Sequence, residues 1–152
     1  MYCASTNPLL MCALMQAKEI IERDNIARSS WSYLSDVTDN DNWVVHAEEA
    51  AAKTPWRDDC DGLVITALQL CHDVPLSSRY ILLVETSQAR ANQPDHMIGA
   101  CLDDEGVMWV VGDTLGPAYR VEGCPHHAGY YWRLDERNAD NKPIWREGFP
   151  WQ

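Results

Sequence analysis

Apolar residues recur at intervals of three and four in two stretches of the chain. From Pro8 to Arg28 the repeat runs through Leu9, Leu10, Ala13, Leu14, Ala17, Ile20 and Ile21, which predicts one helix over 8–28 with a single buried face. Asn7 can cap it, and Pro8 suits a first helical turn. The second stretch is Cys60, Leu63, Val64, Ala67, Leu68 and Cys71, spaced 3, 1, 3, 1, 3. It predicts a helix that starts at Asp59 or Cys60 and places Cys60 in the first turn, on the core-facing side. Between the two lies a polar segment, 29–42, expected as a loop or cleft rim and punctuated by Trp31, Tyr33 and Trp43. A short helix is expected within 44–53, ended by Thr54-Pro55 because the residue before proline avoids helical backbone.

Past residue 79 the period shortens to that of strands. Tyr80 to Val84 is a continuous apolar run and predicts a buried strand. His96–Leu102 and Val107–Asp113 flank Asp103-Asp104-Glu105-Gly106, which predicts a hairpin. A further strand is expected over 118–121, and the aromatic chain after Cys124 is expected to be irregular. No repeat or break divides the sequence. Helices first and an antiparallel sheet afterwards indicate an α+β fold, with N-terminal helices packed on the sheet, in a single domain over 1–152.

Composition adds exclusions. A net charge of −11 without a basic stripe argues against a nucleic-acid partner and is compatible with a basic substrate segment, a cation or simply a solvated surface. The apolar run near the N-terminus is too short to span a membrane and lacks the basic start of a signal peptide. The six cysteines (Cys3, Cys12, Cys60, Cys71, Cys101, Cys124) are irregularly spaced in a chain large enough to fold without staples. Free thiols and a cytoplasmic location are therefore expected.

Candidate chemistry centres on Cys60. A helix N-terminus favours a thiolate, a histidine can shuttle its proton, and an aspartate can fix the histidine tautomer. Amides of the same helical turn can face an oxyanion. If Asp104-Glu105 is a two-residue loop, Leu102 meets Val107, Ala100 meets Trp109, Ile98 meets Val111 and His96 meets Asp113. Opposite residues on one face have Cβ atoms roughly 4.5–5.5 Å apart, suited to a His–Asp contact. A bulge at Gly106 would shift this register by one and send Asp113 to the other face, unless a second irregularity compensated. Cys60, His96 and Asp113 thus form a candidate catalytic triad, with Trp43 and Trp56 as candidate cleft walls. The acids beside Cys60 oppose its ionisation. Asp59 is either a helix N-cap or, with Asp61 and nearby carbonyls, part of a calcium site.

In order, Trp43, Ala47-Glu48-Glu49-Ala50, Asp59-Cys60-Asp61, His96-Met97-Ile98 and Gly112-Asp113-Thr114 resemble the bacterial transglutaminase-like cysteine peptidases of the LapG type. The likeness covers roughly residues 40–120. It implies a papain-like fold, a Cys60-His96-Asp113 triad, a protein or peptide substrate, and calcium held by Asp59 and Asp61. The sequence departs from the family pattern at Asp58, where glycine is usual, at Gly62, where an acid is usual, at Asp61, one methylene shorter than the usual Glu, and at Thr114, where Asn is usual.

The expected activity is cleavage of an amide, peptide or isopeptide bond through a thioester. Two alternatives are a non-catalytic acidic binding or inhibitor protein on the same scaffold and a transglutaminase. Cys60 as an ordinary core thiol is the plainest competitor. Cys124-Pro125-His126-His127 contains zinc-ligand types but has no matching Cys/His pair at finger spacing.

Overall fold

The computed structural model describes residues 15–35 and 43–152. Helix α1 spans Ala17–Ser29, strand β1 Trp31–Tyr33, helix α2 Ala47–Ala51, strand β2 Trp56–Asp58 and helix α3 Cys60–Leu70. Then come β3 Arg79–Glu85, β4 His96–Leu102, β5 Met108–Val111, β6 Tyr119–Arg120, β7 His127–Arg133 and β8 Arg146–Glu147. The last six strands form one antiparallel sheet in the order β6-β5-β4-β3-β7-β8, while β1 and β2 pair in parallel apart from it. Mixed helix and antiparallel sheet is the fold class expected from the hydrophobic pattern.

Alternation along the central strands sorts the core into two layers. Ile81, Met97, Cys101, Val111 and Trp132 face the helices and pack with Leu63, Val64, Ala67 and Leu68 of α3. Leu82, Val84, Ile98, Ala100 and Val110 face the other way and are covered by Val121 and Phe149. Burial on both faces explains why β3 reads as an unbroken apolar run. Among the described residues no helix is long and apolar enough to cross a membrane.

Several boundaries differ from expectation. Gln16 is extended (φ −71°, ψ 154°), so the helix does not run unbroken over 8–28; it begins at Ala17, and Asn7, Pro8, Cys3 and Cys12 lie outside the described residues. Trp31–Tyr33 is a strand rather than loop, held by the Trp31 indole N–H donating to the Asp58 carbonyl at 3.0 Å. The strand expected over 118–121 is only Tyr119–Arg120. The stretch after Cys124 contains β7, which pairs along β3. The alternation of β7 is masked because the register slips between Leu83 and Val84, leaving Gly129 unpaired in a bulge. A Cβ at Gly129 would collide with the Leu83 carbonyl oxygen.

The hairpin register is also shifted by one. Gly99 pairs with Val111, Ala100 with Val110, Cys101 with Trp109 and Leu102 with Met108. The loop holds three residues, because the Asp103 N–H donates to the Val107 carbonyl at 2.8 Å and Gly106 takes a positive φ of 79°. Asp103 organises it: its carboxylate accepts from the amides of Glu105 and Val107 and from the Trp109 indole, each at 2.9 Å. This carboxylate is buried. Asp103→Ala should therefore lower stability by about 2 kcal/mol, with an unchanged denaturant slope in urea unfolding. A loss near zero would mean that the loop holds itself.

Candidate active site

Cys60 opens α3, and Asp59 is its N-cap, accepting the Asp61 amide at 3.1 Å. The start of the helix lies against the start of β4, where the Met97 amide donates to the Cys60 sulfur. Cys60 and His96 line one cleft of about 470 Å³ together with Trp43, Asp61, Leu83, Pro94, Asp95 and Met97. Trp43 lines this cleft and stacks on Trp132, ring centroids 6.4 Å apart. Trp56 does not line this cleft: it is buried in the core and stacks on His46 at 4.8 Å.

His96 Nε2 lies 3.1 Å from Asp113 Oδ1. The contact forms in spite of the shifted register. Continuing the observed pairing past Gly99–Val111 would set Asp113 opposite Met97, on the helix-facing side. Instead β5 ends at Val111, and Gly112 adopts a positive φ of 69° that turns the chain and re-aims Asp113. Gly112 also sits directly on α3, where a Cβ would lie 2.7 Å from the Val64 Cα.

Two residues of α1 pin this turn. The buried Asp24 accepts the Gly112 amide at 2.7 Å, the Ala118 amide at 2.9 Å, and Arg28 Nε and Nη2 at 2.8 and 3.0 Å. Arg28 Nη1 in turn donates to the Asp113 carbonyl at 3.0 Å. Asp24 shares the buried face of α1 with Ile20 and Ala27. An acid on an apolar stripe was the available signal, and the sequence reading passed over it.

Asp113 carries more partners than a triad requires. Its Oδ1 accepts the Leu115 amide at 3.1 Å besides facing His96. Its Oδ2 accepts the Tyr119 hydroxyl at 2.6 Å and lies 2.9 Å from His126 Nε2. Burial works to raise the Asp113 pKa, but hydrogen bonds from His96, Tyr119, Leu115 and His126 outweigh it and hold the carboxyl well below the usual carboxylate range. Because the folded value is depressed, this stabilisation is present above the unfolded carboxylate value of about 3.9 and is lost as pH falls toward the folded one. Tyr119 and His126 were not assigned to the site from sequence; both lie beyond the span of the hairpin argument.

The thiol is held protonated. Burial pushes Cys60 up to about 12; the Met97 amide opposes this, and Asp61 and Asp59 add to it. Asp61 Oδ1 is 3.5 Å from the sulfur, and among the described residues no hydrogen bond joins the sulfur to His96. Asp59 occupies the Asp61 and Gly62 amides, so these helix donors do not face an oxyanion. Burial also raises Asp59 itself. A calcium ion shared by Asp59 and Asp61 would have to take Asp59 from its cap, and no third His, Cys, Asp or Glu ligand atom joins the pair among the described residues. Asp58 and Gly62 are coupled: a Cβ at Gly62 would strike the Asp58 carboxylate, which also accepts the Asp59 amide at 2.8 Å. The acid expected at position 62 therefore has no room here while Asp58 is in place.

Comparison of the chain with protein-family models, curated proteins and solved structures gives no match.

Proposed function

We propose that the chain is a cysteine hydrolase of papain-like, transglutaminase-like architecture that cleaves an amide, peptide or isopeptide bond. The observation that carries this is the pairing of Cys60 and His96 in one cleft with Asp113 on the Nε2 of His96. With Nε2 committed to Asp113, Nδ1 is the nitrogen left to serve the thiol. The Cys60 sulfur attacks the carbonyl carbon as its proton passes to Nδ1, and the imidazolium then gives that proton to the departing amine. Water, deprotonated by the same nitrogen, hydrolyses the thioester and restores the thiol. The Cys60 amide, outside the Asp59 cap, supplies the oxyanion donor. Asp61 and Asp95 on the cleft wall suit a basic segment of a protein or peptide substrate. Attack by an amine in place of water would make the same site a transglutaminase.

A second reading, a non-catalytic acidic binding protein on this scaffold, draws support from the protonated thiol and its missing hydrogen bond to His96. Iodoacetamide labelling with peptide mapping separates the two. For a hydrolase, Cys60 labels faster than the other five cysteines, and His96→Asn slows it by about 100-fold, the scale of a lost general base. Labelling of Cys60 at the pace of the buried Cys71 and Cys101, indifferent to His96→Asn, would instead establish the binding protein. New protein termini that arise with wild type and not with Cys60→Ala would then identify the substrate.

A further inference from the structure

The proposed chemistry uses one imidazole on Asp113, yet the structure places two. His126 is buried, and its Nε2 lies 2.9 Å from Asp113 Oδ2 while His96 Nε2 lies 3.1 Å from Oδ1. His126 is not part of the Cys60 cleft; it lines a second cavity of about 460 Å³ with Val121, Cys124, Phe149 and Trp151. One ligand atom from each of His96, Asp113 and His126 lies within 4.8 Å of the others, the one such convergence of His, Cys, Asp and Glu side chains among the described residues. We propose that His96 Nε2, the Asp113 carboxylate and His126 Nε2 form a binding site for a divalent transition metal of the zinc class.

The donor set selects the metal. Two imidazole nitrogens and one carboxylate oxygen suit zinc, cobalt or nickel, whereas calcium and magnesium want oxygen. The spacing fits as well. Around a tetrahedral ion with bonds of about 2.0–2.1 Å, ligand atoms stand roughly 3.3 Å apart. The two nitrogens face different carboxylate oxygens, His96 at 3.1 Å from Oδ1 and His126 at 2.9 Å from Oδ2, so a small turn of the carboxylate would bring one oxygen to both, within the 4.8 Å that already spans the three ligand atoms. The carboxylate is already oriented by the Leu115 amide and the Tyr119 hydroxyl, the outer support that metal ligands generally require. Behind it the turn is clamped by Asp24 and Arg28. Binding needs the lone pair on each Nε2, so in a neutral ring the proton moves to Nδ1.

That tautomer shift has a consequence, which rests on the hydrolase proposal. With metal on Nε2, His96 presents a proton on Nδ1 and cannot accept one from Cys60. The metal would therefore switch the thiol off without touching it.

The full-length protein is titrated with Co²⁺ followed by visible absorption, and with Zn²⁺ followed by calorimetry. The expected result is one saturable equivalent, with d–d bands and no thiolate charge-transfer band. His126→Asn should weaken binding roughly 100-fold or more, beyond what outer-shell changes generally cause. Should that variant not fold by circular dichroism, His96→Asn takes its place. The site is overturned by the absence of saturable binding to wild type, by a thiolate charge-transfer band placing the metal on a cysteine, or by unchanged affinity in the variant. Iodoacetamide labelling with and without Zn²⁺ tests the consequence separately. Metal binding that leaves Cys60 labelling unaltered would sink the base role of His96 and leave the metal site standing.

Discussion

Gly112→Ala should destabilise the protein by about 3 kcal/mol or more and uncouple His96 from Asp113. Two costs combine. Left-handed backbone at φ 69° is unfavourable by about 1–2 kcal/mol for a residue with a Cβ. The added Cβ would also lie 2.7 Å from the Val64 Cα and 3.3 Å from the Leu63 carbonyl oxygen, contacts with helix backbone that cannot rotate away. Overpacking of this kind costs about 1–3 kcal/mol. Relief requires α3 to move or Gly112 to flatten, and flattening returns Asp113 to the Met97 side of the sheet. Urea unfolding gives the stability, and the ring-proton resonances of His96 report the Asp113 contact. A loss under about 1 kcal/mol with unchanged His96 resonances would show that Gly112 does not correct the register.

Asp24→Ala should cost about 3–5 kcal/mol, the range for removing one partner of a buried ion pair. The substitution strands the Arg28 guanidinium and leaves the Gly112 and Ala118 amides without their acceptor. Asp24→Asn keeps the shape and at most part of the hydrogen bonding, so its loss should be smaller. Replacing Asp24 and Arg28 together by apolar residues should recover part of the loss, because no unpaired charge is then buried. Since Arg28 also holds the Asp113 carbonyl, Asp24→Ala should slow Cys60 alkylation at temperatures where the variant remains folded. A double-mutant cycle over Asp24 and Arg28 measures the coupling. Additive losses would show that the Asp24–Arg28 pair is not coupled, and unchanged Cys60 alkylation in Asp24→Ala would remove Asp24 from the support of the site.

The hydrophobic pattern by itself determined the helix from Cys60, the buried strand β3, the hairpin arms and the order of helix before sheet. Those features follow from local period, which a chain cannot hide where one face or both are buried. It also singled out Asp59 as a cap candidate, which the backbone geometry of α3 bears out. The tertiary structure decided the rest. The hairpin register depended on one left-handed glycine, Gly106, and the rescue of the His96–Asp113 contact on another, Gly112. At Gly112 the left-handed backbone is tied to what packs against it, α3 from some fifty residues away, whereas Gly106 faces open space and its conformation belongs to the three-residue loop itself. Asp24, Arg28, Tyr119 and His126 reach Asp113 or its turn from elements the hairpin argument never touched. Pairing across a fold leaves no period in the sequence. The same holds in part for Cys60: its position on α3 and the acids beside it were legible, but burial does most to hold its proton, and only packing sets that.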